Sequence, residues 1–204
     1  MKQSLNGLWK MCKVGGDNSL DAFVPTTMYE VLFNNKIIDD PFYGENDFKQ
    51  TELSDDDYIF YRSFSVDKDL LSCELVEIEF HGLDTLATIS INNQVVKKTN
   101  NMHRTYRFDI KNYLLEGDND ISILFNSPTK FIAQEYAKDP LWGIKTTMDG
   151  YEHLRKAHHM FGWDWGPQLP DMGIWRDVNI YGIKKGKLLD LKDDVIEKAK
   201  DLAG

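Results

Sequence analysis

The sequence predicts an all-β fold, an antiparallel sandwich or barrel with short helices and a C-terminal helical tail. Three observations predict it. Apolar and polar residues alternate over short runs, turn residues separate the runs, and no apolar stripe of helical period lies between them to supply βαβ crossovers. The runs come in order. Val76, Ile78 and Phe80 alternate with Glu77 and Glu79, which predicts one apolar face and one wet face. Ala87, Ile89 and Ile91 alternate with Thr88 and Ser90. Asn92-Asn93 then precedes Val95-Val96, and because Asn tolerates positive φ the pair reads as a tight hairpin turn. Tyr106, Phe108 and Ile110 alternate again, as do Ile121, Ile123 and Phe125 after the turn-like Glu116-Gly117-Asp118-Asn119. Val178 and Ile180 write a last strand around Asn179.

Short helices are expected near Met28 to Asn34, where Tyr29, Leu32 and Phe33 have helical spacing, and near Lys130 to Lys138. Between Ser127 and Gln168 there are few clean strands and many Trp, Gly, His and Pro residues. Long irregular segments of compact domains carry binding and lid loops, so function is sought there. The tail differs: Leu191, Val195, Ala199 and Leu202 fall on one helical stripe, predicting a helix from about Leu191 to Leu202. The organisation expected is one domain over 1–184 and a tail over 185–204.

The 204 residues suffice for one large domain, and their net charge of −9 makes nucleic acid a poor partner. Lys97-Lys98 and Lys184-Lys185 read as solvated turns. Cys12 and Cys73 form no CxxC pair and read as free thiols of a reducing compartment. Met1 to Lys10 lacks the apolar run of a secretory leader, and no stretch is long enough to span a membrane. The expected location is cytoplasmic.

The densest segment is FGWDWGP, Phe161 to Pro167. Gly162 and Gly166 permit a sharp backbone path, and Pro167 stiffens the exit. The loop would hold the Asp164 carboxylate between the indoles of Trp163 and Trp165. A pyranose suits such a site: its C–H faces stack on aromatic rings and adjacent hydroxyls donate to a carboxylate. The competing reading makes the tryptophans core fillers and Asp164 the cap of a turn, and composition alone favours it for at least one indole. In an extended stretch Trp163 and Trp165 would share a face that Asp164 opposes.

Trp175 opens the last strand and reads as core, whereas the role of Trp142, in the irregular segment, is open. His153 and His158-His159 lack the helix-face spacing and the carboxylate of a HExxH site, so no metal is expected. Asp55-Asp56-Asp57 reads as an acidic turn without the calcium-loop pattern. No nucleophile elbow, P-loop or dinucleotide fingerprint appears, no cofactor is implied, and spacing nominates no pair of glycosidase carboxylates.

Several segments resemble the N-terminal domain of β-mannosidases in glycoside hydrolase family 2, from about Leu5 to Ile183. They are LNGLWK (Leu5 to Lys10), VPTTMYEVLFNNKIIDDPFYGEN (Val24 to Asn46), FHGLDTLATISINN (Phe80 to Asn93), NNMHRTYRFDI (Asn100 to Ile110) and LRKAHHMFGWDWGPQLPDMGIWRDVNIYG (Leu154 to Gly182). FGWDWGP followed by GIWRDV is the most specific match, and marks the mannosidase branch better than the galactosidase or glucuronidase branches.

The resemblance implies a jelly-roll β-sandwich of the galactose-binding type, followed in full-length members by an immunoglobulin-like domain and a (β/α)₈ barrel. The barrel carries the acid/base and nucleophile glutamates of a retaining mechanism and needs roughly 200–250 residues or more. The family's Asn-Glu acid/base dipeptide occurs nowhere here. No catalytic residue is therefore expected, and the chain alone should be inactive. By the same resemblance Trp163 and Asp164 match positions that wall the terminal-mannose pocket. Arg155 matches an Arg that would brace the loop through an ion pair, with a surface Arg as the competing reading. Trp165 and Trp142 are possible supports. Two departures stand out: His158-His159-Met160 replaces the expected Gln and aromatic stretch, and a charged helix replaces the strand leading onward after Ile183. The implied partners are a β-mannoside and the two further domains. A free-standing carbohydrate-binding module and a self-associating interaction domain are the alternatives.

Overall fold

The computed structural model describes residues 1–164 and 166–184. The expected helix from Leu191 to Leu202 lies outside the described residues, and so does Trp165. In chain order the strands are β1 (Lys2–Ser4), β2 (Gly7–Lys13), β3 (Ser19–Val24), β4 (Thr26–Thr27), β5 (Tyr58–Val66), β6 (Leu75–Phe80), β7 (Leu86–Ile91), β8 (Gln94–Asn100), β9 (Tyr106–Asp109), β10 (Gly117–Phe125), β11 (Phe161–Trp163), β12 (Gly166–Gln168), β13 (Gly173–Ile174) and β14 (Val178–Ile183). The helices are short: α1 (Met28–Asn34), α2 (Asn46–Gln50), α3 (Lys68–Leu71) and α4 (Pro128–Lys138). Among the described residues no helix is long and apolar enough to cross a membrane.

Two antiparallel sheets make a sandwich. One has six strands in the order β3-β2-β5-β10-β7-β8, the other four in the order β1-β14-β6-β9. The period-2 pattern sets which side chains meet. On the larger sheet Ile123 pairs with Phe60 and with Ile89, and Phe60 pairs with Met11. On the smaller sheet Ile180 pairs with Ile78 and Val178 with Phe80. All of these belong to one buried cluster between the sheets. Burying a side chain of this size contributes about 1.5–3 kcal/mol, so the alternating runs are what hold the layers together.

The turns read from the sequence form as their chemistry requires. Asn92 and Asn93 adopt φ of 49° and 63° between β7 and β8. The Asn92 side chain donates to the Tyr113 carbonyl and to Asn119 Oδ1. Asn119, buried on β10, also accepts from the Leu115 N–H and donates to the carbonyls of Leu115 and Gly117, so its amide is satisfied inside the fold. The acidic turn Asp55-Asp56-Asp57 anchors α4: Asp57 accepts from the Ser127 N–H, and Asp55 from the Thr129 hydroxyl. Ser127 caps α4 by accepting from the Lys130 N–H, with Pro128 in the first helical turn.

Three expectations are corrected. Glu79, read as part of a wet face, is buried, and its carboxylate pairs with Arg107 and with His81. Its strand lies between β14 and β9, so the outer face of the sheet is deepest there and only a paired charge is tolerated. Trp175, read as core at the opening of the last strand, precedes β14 and is only half-buried. The Arg176 guanidinium lies 4.0 Å from its ring centroid, while Ile174 and Val178 take the core positions on either side. Gly117, read within a turn, already belongs to β10, pairing with Val66.

Candidate functional site

β11 and β12 form a small hairpin apart from the two main sheets, with Phe161 opposite Gln168 and Trp163 opposite Gly166. Gly162 has a φ of +97°, and a Cβ there would stand 2.5 Å from Gln168 Cγ, so the strand can pair this closely only with glycine. Phe161 anchors the base of the hairpin in a second buried cluster with Ile132 and Leu154. On one side the loop after α4 is tied to it: the Met148 N–H donates to the Phe161 carbonyl at 3.0 Å, and Gln168 Nε2 reaches the Thr146 carbonyl at 3.5 Å. On the other side the Thr51 hydroxyl donates to the Gln168 carbonyl at 2.9 Å.

Between the hairpin, α1 and the loop at Asp40–Phe42 lies a cleft of about 670 Å³, mostly apolar. Trp163 and Phe42 are aromatic parts of its lining, Met160 and Leu169 add apolar surface, and Asp171 also lines it. Asp171 Oδ1 accepts from the N–H groups of Tyr29 and Met172 at 3.2 and 2.8 Å, and so serves the start of α1, which its own Thr27 side chain does not cap. Burial pushes the Asp171 carboxyl up to about 6; the Thr27 hydroxyl, Lys156 and the two backbone N–H groups oppose this without cancelling it. The carboxyl keeps some contact with the cleft, yet lies deep among protein atoms, and depth governs its ionisation.

The floor is held by an ion pair hidden from water. Lys156 and Asp84 have side-chain exposures of 0% and 1%, and Lys156 Nζ donates both to Asp84 Oδ2 and, at 2.7 Å, to the Asp171 carbonyl. The Thr85 hydroxyl donates to the other Asp84 oxygen. Main-chain bonds in both directions join Asp84 to Gly173, whose strand pairs with β4. Lys156 thus ties the segment entering the hairpin to the segment leaving it.

The residues nominated by the sequence are placed as follows. Trp163 is half-buried and lines the cleft; it is neither wholly core nor free-standing. Asp164 sits at the hairpin turn, exposed, and is not part of the cleft lining, which accords with the alternation that sets it opposite Trp163. Trp142 is 90% exposed on the loop that flanks the hairpin. Arg155 is exposed, with no ion pair among the described residues. Its contribution is main-chain: the Met102 N–H donates to its carbonyl. The next residue, Lys156, makes a buried ion pair of its own, because alternation turns that side chain inward. The histidines diverge: His153 Nε2 meets the Asp139 carbonyl, His158 stacks edge-on against Tyr151, and His159 lines the cleft. Among the described residues no group of three or more His, Cys, Asp or Glu stands close enough to hold a metal ion.

Residues 9–176 match the family described as glycosyl hydrolase 2 galactose-binding domain-like. The β-mannosidase of Capra hircus is 34% identical over 185 residues, which is 87% of this chain and 21% of the relative. The crystal structure of β-D-mannosidase from Dictyoglomus thermophilum superposes with a TM-score of 0.87 at 34% identity, covering 93% of this chain and 23% of that one. A β-glucuronidase from an uncultured Clostridium shares the fold, with a TM-score of 0.58 at 17% identity over 91% of this chain and 29% of that one. The chain therefore spans about a fifth of the length of the β-mannosidases it matches. It belongs to the glycosyl hydrolase 2 galactose-binding domain-like family, as the N-terminal domain of β-mannosidase-like members.

Proposed function

We propose that this domain serves the hydrolysis of terminal β-D-mannose residues by lending the tip of the β11–β12 hairpin to a mannose pocket completed by other polypeptide. The observation that carries the reading is the exposed Asp164 carboxylate at the turn of a glycine-hinged hairpin that also carries the half-buried Trp163. An exposed carboxylate on a rigid turn can accept from two vicinal hydroxyls, and an adjacent indole offers the apolar face that a pyranose requires. In this role Asp164 and Trp163 bind and orient, while Trp142, on the flanking loop, and Trp165 are candidate supports. The bond-breaking carboxylates, which in a retaining enzyme stand about 5–5.5 Å apart, would come from a (β/α)₈ barrel, with an immunoglobulin-like domain between. A cytoplasmic, reducing setting is part of the proposal and is supported by the two unpaired thiols, Cys12 and Cys73.

A second reading, a self-sufficient carbohydrate-binding module, is favoured by the cleft, which already unites aromatic walls and carboxylates within this chain. Titration of the chain with manno-oligosaccharides, followed by tryptophan fluorescence, separates the two. The first reading expects no saturable response, since half a pocket buries too little of the ligand. Saturable binding at millimolar concentration or below, lost in Trp163→Ala, would replace it with the second.

A further inference from the structure

The β11–β12 hairpin is too small to set its own direction. Its ladder consists of Phe161 opposite Gln168 and Trp163 opposite Gly166, and a bond from the Leu169 N–H to the Met160 carbonyl at 3.0 Å continues it toward the base. Isolated two-stranded ribbons are marginal in water, and this one contains a glycine at a φ of +97°. Where the tip points is therefore decided at the base.

Lys156 is placed to decide it. Its own segment is fixed from behind: the Met102 N–H donates to the Arg155 carbonyl at 3.0 Å, the Ala157 N–H donates to Met102 Sδ at 2.9 Å, and Asn101 bridges to Arg155. From that fixed point the ammonium crosses to the segment that leaves the hairpin, where it donates to the Asp171 carbonyl at 2.7 Å while Asp84 pairs with it. Asp84 is fixed in turn by the Thr85 hydroxyl and by main-chain bonds to Gly173 at 2.9 and 2.8 Å. A single Nζ thus sets the spacing of the two ends of the hairpin.

Stability alone does not require an ion pair here. Two charges taken out of water lose hydration that their attraction only partly restores, and a well-packed apolar pair of like volume commonly holds a fold as well or better. What the charged pair supplies is direction. The ammonium aims its N–H groups at one carboxylate oxygen and one carbonyl, and hydrogen bonds weaken steeply as that aim is lost. Apolar contacts tolerate repacking at constant volume and impose no such aim.

We infer that Lys156 is a positioning residue: the Lys156–Asp84 pair sets the direction of the β11–β12 hairpin, and through it the aim of Trp163 and Asp164 at mannose. The aim at mannose rests on the reading above; the direction of the hairpin does not.

The Asp84→Asn, Lys156→Met double variant tests it, because it leaves no charge buried and so separates loss of direction from loss of fold. Hydrogen exchange on the 204-residue chain reads the hairpin through the amides of Leu169 and Met148, which bond to the Met160 and Phe161 carbonyls, and reads the sandwich through the amides of β10. Relative to β10, the hairpin amides should exchange at least about tenfold faster than in the parent chain. An unchanged ratio of hairpin to β10 rates would overturn the inference. So would a double variant that fails to fold, since the pair would then hold the sandwich and not aim the hairpin.

Kinetics read the second half, in a chimera carrying this chain in place of the matching domain of the Dictyoglomus thermophilum β-mannosidase. On an aryl β-mannoside the double variant should lower kcat/KM about three- to tenfold, and by less than about twofold once Asp164→Ala is already present. Equal losses with and without Asp164 would mark a general structural role and overturn the aim at mannose. A chimera in which Asp164→Ala alone costs nothing would remove the mannose reading itself, and the exchange ratio would still decide whether the pair directs the hairpin.

Discussion

Lys156→Met is the perturbation that most directly probes how the hairpin is held. Methionine keeps an unbranched apolar stem but removes the charge, leaving Asp84 with the Thr85 hydroxyl as its remaining side-chain partner. Because both members of the pair are almost wholly hidden from water, screening offers no relief, and an uncompensated buried carboxylate costs about 3–5 kcal/mol. The lost bond to the Asp171 carbonyl acts in the same direction. Against a typical stability of about 5–15 kcal/mol, this is about a fifth of the total or more. Urea unfolding followed by tryptophan fluorescence should therefore show a midpoint lowered by at least about 1 M, with m near 1–3 kcal/mol/M. Pairing the change with Asp84→Asn should recover more than half of the loss, since no charge then remains buried. A single variant that loses less than about 1 kcal/mol, or a double variant no better than the single, would refute the claim that this ion pair organises the floor of the cleft.

Other consequences follow from the same geometry. The Asp171 carboxyl titrates near 6 in the fold against an ordinary 3.8, so the native state binds more protons than the unfolded chain between those values, and stability from this group falls as pH rises through the window. Asp171→Asn keeps an acceptor for Tyr29 and Met172, so its stability relative to the parent should improve between pH 4 and 6, by on the order of 2–3 kcal/mol in all; a flat difference curve would contradict the assigned burial. Gly162→Ala meets both a φ of +97° and the Gln168 side chain, and should cost about 1–3 kcal/mol in thermal or urea unfolding. Gly173→Ala should cost more, because its Cβ would lie 2.7 Å from the Thr26 carbonyl oxygen and the Thr27 Cα, which are backbone atoms unable to step aside. Asn119→Leu removes a side chain that bridges three carbonyl or amide partners around Leu115, and should lower stability by about 2–4 kcal/mol, read from the same unfolding curves.

Much of the sandwich was legible because period-2 alternation is a local signal. The strands β6, β7, β9 and β10 follow from it, while the Asn92-Asn93 turn follows from Asn's tolerance of positive φ and α1 from the helical spacing of Tyr29, Leu32 and Phe33. The central strand β5 escaped because Arg62 interrupts the series Tyr58, Phe60, Phe64, Val66. The guanidinium reaches the carbonyls of Leu5 and Asn6 and lies over the Trp9 ring, so an apparently polar position is accommodated against the core. The fold family itself came from the resemblance of the FGWDWGP and GIWRDV segments, which composition could not have supplied.

The site was legible only where chemistry and local geometry coincide. Trp163, Asp164 and Gly162 share one short segment, and its glycines conveyed a sharp, rigid loop, though not the β11–β12 pairing. Lys156, Asp84 and Asp171 come from three separate stretches of chain and meet only in the fold; no spacing rule joins them. Phe33, Phe42 and Glu30 converge on Trp163 in the same way. Asn101 and Met102 bond to the main chain of Arg155, so its placement was determined by pairing partners that lie over fifty residues away. The alternation that turns Lys156 inward was readable, but only once the strand-like path of that segment was known.

On the proposed reading, mannose contact and bond breaking are divided between this domain and other polypeptide. A chimera in which this chain replaces the matching domain of the Dictyoglomus thermophilum β-mannosidase, 34% identical, puts it to the most direct test when assayed beside the isolated chain on an aryl β-mannoside. No turnover is expected from the chain alone, turnover from the chimera, and a fall in kcat/KM of at least about tenfold when the chimera carries Asp164→Ala. Hydrolysis by the isolated chain, or a chimera indifferent to the loss of Asp164, would contradict the account.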